Sequence, residues 1–135
     1  MSPLENLHYA IGELAYTIAR ADGEVQKEER RRFEQILREE LNEGEGHEKV
    51  GEIIFKLMDK RDYFDSAATY DLALQTIRTN GHYLSPDLKN KFTHLLEKVA
   101  EAHPPVTSEE NAILRKFRRD IALINGDPVY YEKAL

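Results

Sequence analysis

The sequence predicts a single all-α domain over residues 1–135, a compact bundle of six to seven helices. Three observations predict it. Apolar residues recur at spacings of three and four along most of the chain. Capping residues and prolines precede these runs, and glycine or proline follows them. No segment shows sustained strand-like alternation.

In the first segment Leu4, Leu7, Ile11, Leu14 and Ile18 form one apolar stripe. Ser2 is placed to cap it, Pro3 fits its first turn, and Glu5 completes a capping box. A second helix runs from Lys27 to about Asn42, with Phe33, Ile36, Leu37 and Leu41 inward. The two glycines of "NEGEG" at 42–46 end it in a loop. The third helix carries Val50, Ile53, Ile54, Leu57 and Met58.

The polar connection "DKRDYFDS" leads to a fourth helix over Ser66 to Thr79, where Tyr70, Ala73, Leu74 and Ile77 share a face. Asn80-Gly81 stops that helix, and Ser85-Pro86 starts the fifth, which buries Leu88, Phe92, Leu95, Leu96 and Val99. Pro104-Pro105 stops the fifth. Thr107 and Glu110 form a second capping box. The sixth helix holds Ile113, Leu114, Phe117, Ile121 and Ile124 and ends near Asn125-Gly126; Asp127-Pro128 begins a short last helix.

Sliding the chain by 81 residues lays segment 14–36 over segment 95–117. Leu14, Ala19, Ala21, Val25, Glu28 and Glu29 then meet Leu95, Ala100, Ala102, Val106, Glu109 and Glu110. The buried positions Ile18, Phe33 and Ile36 meet Val99, Leu114 and Phe117. This pattern reads as two degenerate helical hairpins flanking a middle helix pair.

Composition narrows the function classes. A formal net charge of -6 weighs against non-specific binding to nucleic acid or anionic membrane. The chain has no cysteine, which removes disulfides, thiolate metal sites and a cysteine nucleophile. The start "MSPLENLHYA" lacks the pattern of a secretory signal, and no apolar run is long enough for a bilayer. The expectation is a cytoplasmic protein without a transmembrane segment.

The corner "ADGEVQKEE" at 21–29 partly matches a calcium loop. With Gly23 at loop position 6, Asp22 falls at 5, Val25 at 8 and Glu29 at 12. The same register puts Ile18 and Arg20 where oxygen ligands belong, so half the coordination shell is missing. A structural corner explains the same letters. Gly23 turns the chain, Val25 plugs the space between two helices, and Glu28 and Glu29 suit the positive end of the second helix.

This corner, at the end of an apolar helix and before another with "F..I", resembles the tellurite-resistance TerB family. The same module stands at the head of a membrane-anchored DnaJ-type co-chaperone. The resemblance covers most of the chain and implies an all-helical domain with a second, related corner. It also implies a role in stress responses and metal binding through acidic corner residues, here Asp22, Glu24, Glu28 and Glu29. In such relatives the second corner often reads Asp-Gly. Here His103, Pro104 and Pro105 replace it, which removes half of any paired acidic site.

Other candidates are weaker. Glu5 and His8 have the Glu-x-x-His spacing of a di-iron carboxylate site, but no second copy accompanies them. A surface capping glutamate beside a half-buried histidine is the preferred reading of this pair. Arg30, Arg31 and Arg32 interleave with Glu28, Glu29 and Glu34 and read as a solvated face with Glu28–Arg32 and Arg30–Glu34 pairs. Asp59, Asp62 and Asp65 surround Tyr63 and Phe64; their spacing could share a cation, but the preferred reading is a charged connection with two aromatic anchors packed on the core. Tyr130 and Tyr131 either close the core or mark a contact surface.

No nucleophile triad, phosphate-cradling glycine loop or dinucleotide fingerprint is present. The expected function is a non-catalytic interaction module that needs no cofactor, with a divalent-metal binder and a di-iron enzyme as the alternatives. Its expected partner is another protein, and a homodimer fits the same reading.

Overall fold

The computed structural model describes residues 1–41 and 49–132. Its α-helices are α1 (Pro3–Ala19), α2 (Lys27–Leu41), α3 (Lys49–Asp59), α4 (Ser66–Thr79), α5 (Pro86–Glu101), α6 (Ser108–Ala122) and α7 (Pro128–Tyr131). A short 3-10 helix, Gly81–Tyr83, lies between α4 and α5. No strand occurs among the described residues. The expected "NEGEG" loop lies outside them.

The capping chemistry explains where the helices begin. Ser2 Oγ accepts the Glu5 N–H at 3.1 Å while Glu5 Oε1 accepts the Ser2 N–H at 3.0 Å. Thr107 and Glu110 close the same reciprocal pair at the start of α6. Asp65, Ser85 and Asp127 cap α4, α5 and α7 through their side-chain oxygens.

The first helix is the axle of the molecule. α3, α4 and α5 all pack against it. Its expected single stripe is less than half of what is buried: His8, Ala10, Gly12, Ala15, Tyr16, Thr17 and Ala19 are enclosed as well. Small residues on the second face let neighbouring backbones come close. A Cβ on Gly12 would stand 2.5 Å from the Gly51 carbonyl oxygen and 3.0 Å from the Gly51 Cα. A Cβ on Gly51 would stand 3.3 Å from the His8 carbonyl oxygen. α1 and α3 therefore cross backbone to backbone.

The two buried polar side chains on α1 each make a hydrogen bond within the helix. Thr17 Oγ1 donates to the Glu13 carbonyl at 2.8 Å. His8 Nδ1 stands 2.8 Å from the Leu4 carbonyl, so this nitrogen carries the hydrogen. His8 is fully buried, where half-burial is expected, because Phe92 of α5 closes over it edge-on with ring centres 5.4 Å apart.

After the first corner α2 packs across α3 and α5. α1 and α2 thus enclose the interior together with α3 and α5, and the contacts of α1 are mostly with helices distant in sequence. Aromatic edges lock this junction. Tyr16 meets Phe55 at 5.3 Å and Phe64 at 5.2 Å, and Phe33 meets Phe55 at 5.8 Å between ring centres. Antiparallel to α1, α4 is tied by Asn6 Nδ2, which donates to Asn80 Oδ1 at 3.2 Å. At the far end the Asp127 N–H donates to the His82 carbonyl at 3.0 Å, and Tyr130 stacks near His82 and Tyr83. Tyr130 thus braces the C-terminal segment while staying partly exposed.

The crossing makes a testable demand. Gly to Ala inside an exposed helix gains about 1 kcal/mol of propensity. At Gly12 the added methyl meets backbone that cannot rotate away, and overpacking costs about 1–3 kcal/mol or more. Gly12→Ala is expected to lower the unfolding free energy in urea. A rise would show that the helices separate freely at this point.

Candidate functional site at the meeting of the corners

The first corner follows α1. Arg20 continues the right-handed turn, and Gly23 then takes φ +135°, a conformation that side chains resist. A Cβ there would meet no atom within 4 Å, so conformation alone selects glycine. Val25 turns inward and is buried. Glu29 reaches back, its Oε1 accepting the Gln26 N–H at 2.7 Å. At the second corner Val106 packs on the core, and Glu110 Oε1 accepts the Thr107 N–H at 2.9 Å. In both, the glutamate at the third helical position seals the start of the outgoing helix.

The two corners meet in space. His103 Nε2 of the second stands 3.4 Å from Glu29 Oε2 of the first. That nitrogen is buried and lacks an aligned hydrogen bond, and the imidazole sits edge-on to Phe33 with ring centres 5.5 Å apart. A carboxylate and an imidazole at this range form an ion pair when the ring is protonated, or a two-ligand foothold for a cation.

Of the four predicted metal residues only Glu29 is drawn in. Asp22, Glu24 and Glu28 are exposed on the outer side of the corner. Among the described residues no group of three or more His, Asp or Glu side chains could hold a metal ion. Glu5 is engaged at the Ser2 cap and His8 with the Leu4 carbonyl, so the structure gives this pair separate tasks.

The aspartates of "DKRDYFD" are also dispersed. Asp59 pairs with Arg30 from α2 and accepts a 3.4 Å hydrogen bond from Tyr16. Asp65 caps α4, and Asp62 is exposed. Phe64 packs against the core, but Tyr63 is 77 % exposed, so the connection has one aromatic anchor, not two. Arg30 is drawn across to Asp59, while its expected helical partner Glu34 pairs with Lys56 at 3.5 Å. Arg20 completes this junction, donating to Tyr16 Oη at 3.2 Å and lying 5.4 Å from the Phe64 ring centre. Burial raises the Tyr16 hydroxyl above its ordinary range, so it stays a donor to Asp59.

A profile described as "Tellurite resistance protein TerB" matches residues 8–127. The chain belongs to the TerB family. The match spans both corners and every helix from most of α1 through α6. No match is found among curated proteins or among solved structures. No helix among the described residues of this TerB domain is long and apolar enough to cross a membrane.

One group of unusual character escaped the sequence reading. Glu13 lies on α1 between the apolar positions, and burial raises its carboxyl to about 7 despite the opposing pull of Arg61. Only the small residues Ala10, Gly12 and Ala15 around it hint that this side of α1 is also covered. A raised folded-state pKa means that the folded protein holds the proton more tightly than the unfolded chain. The resulting stability is fully present below the unfolded pKa and falls as pH rises toward about 7. Glu13→Gln is expected to match wild type near about pH 4 and to exceed it near about pH 8. Allowing for partial exposure, the gain is on the order of 1–2 kcal/mol. Denaturant melts at both pH values check this, and an equal difference at the two would contradict it.

Proposed function

We propose that this TerB domain is a non-catalytic protein-interaction module of the cytoplasm, serving a tellurite or envelope stress response. The observation that carries the reading is on α3. Ile53 is 53 % exposed and Leu57 is 49 % exposed, four residues apart on one helical face. Both belong to the apolar set that the sequence assigns to the core, yet Ile54, Phe55 and Met58 already fill the inner side. A second apolar face on a helix already packed on its first suits contact with another protein. The link to tellurite is supported by the family description alone, and the link to the envelope by the sequence resemblance alone.

Affinity capture from native lysate, with and without chelator, tests this reading. Ile53→Glu with Leu57→Glu is expected to weaken capture about tenfold or more while leaving the melting temperature nearly unchanged. Undiminished capture would contradict it. So would substrate turnover by the purified domain that one polar substitution abolishes.

Divalent-cation binding at Asp22, Glu24, Glu28 and Glu29 is the second reading, favoured by the approach of His103 to Glu29. Calorimetric titration with calcium, magnesium, zinc and manganese tests it. The reading expects heat that Glu29→Gln reduces, and silence at millimolar metal would remove it.

A further inference from the structure

The ends of α4 and α6 frame a shallow groove lined by Arg78, Gly81, His82, Leu123, Ile124 and Asn125. Leu123 is 82 % exposed, more than any other exposed large apolar side chain of the described residues. Arg115 and Arg119 precede it by eight and four residues on α6, so the three share one helical face. All are exposed, as is Arg78 on the opposite rim.

Arg78, Arg115 and Arg119 hold no ion pair among the described residues. The nearby acids are committed elsewhere. Asp120 accepts from the Tyr70 hydroxyl at 2.7 Å, Asp71 faces Lys116 at 3.8 Å, and Glu97 faces Arg118 at 3.7 Å. Arg78 and Arg119 lie in the last turns of α4 and α6, where a cation suits the helix dipole. The dipole explains one charge at each end. It explains neither Arg115, a turn further back, nor a bare leucine among the cations.

We propose that this groove binds an acidic segment of a partner protein, with an apolar side chain of that segment seated on Leu123. Three uncommitted guanidiniums on a chain of net charge -6 select negative charge locally. The same net charge repels an extended polyanion such as nucleic acid or an anionic bilayer, which reaches beyond the groove. A short acidic helix or strand reaches only the arginines. The proposal rests on the reading of the domain as an interaction module but uses a face other than Ile53 and Leu57.

The test selects displayed random peptides of roughly 16 residues, enough for a groove-bound helix, on the full chain. Affinities of the enriched peptides are then measured, and contacts are mapped by amide chemical shifts. The enriched peptides are expected to be rich in Asp and Glu around a Leu, Ile or Phe. Arg78→Glu with Arg119→Glu is expected to weaken them about tenfold or more. Leu123→Ser, at a position that contributes little to the core, weakens them without touching charge. Shifts are expected at 78–82 and 119–125.

No enrichment, enrichment of neutral or basic peptides, or equal binding by both variants would overturn the proposal. Tighter binding to phosphatidylglycerol vesicles or to a single-stranded oligonucleotide would overturn it too. Shifts confined to Ile53 and Leu57 would also remove it, while leaving the interaction reading in place.

Discussion

The bare backbone contact between Gly12 and Gly51 is the constraint on which the rest of the molecule depends. No side chain stands between α1 and α3 there, so α1 sits deep enough for α4 and α5 to cover it as well. At that depth its polar residues bond to their own helix. Thr17 and His8 turn to carbonyls of their own helix, and Glu13 is left as a carboxyl whose burial raises its pKa. One close crossing thus sets both the packing and the unusual chemistry along the central helix.

The corners work within this frame. Gly23 and Val25 redirect the chain so that α2 lies across α3 and α5, and the second corner brings His103 to Glu29. Several ionisable groups near the interior are then spent on joining or capping helices: Asp59 with Arg30 and Tyr16, Asp120 with Tyr70, Glu110 with its cap. What remains available lies on the surface, as apolar residues on α3 and as cations with a leucine at the ends of α4 and α6.

Much of the fold was legible because its signals are local. Capping boxes at Ser2–Glu5 and Thr107–Glu110, prolines in first turns and apolar spacing act within a few residues, and they place the helix starts within one or two positions of where they lie, whereas α6 ends at Ala122, short of the expected Asn125-Gly126, and leaves Ile124 outside it. The partners of those helices were not legible. Nothing at Gly12 alone announces Gly51, because the contact joins residues distant in sequence. Ile53 and Leu57 looked like core for the related reason that periodicity counts apolar residues without showing which face of α3 is already filled. Arg30 was drawn from its helical neighbour by Asp59 across the chain. The acidic corner was visible as a string, but its geometry depends on His103, which arrives from the other end of the molecule.

Native-state hydrogen exchange of the full chain tests most directly whether α1 is the buried axle. The amides from Ile11 to Ile18 are expected to exchange only through global unfolding, with the highest protection in the protein, while those of α7 exchange through local opening. Protection of α5 and α6 persisting while α1 exchanges through a smaller opening would contradict the account, because the molecule would then hold together without its central helix.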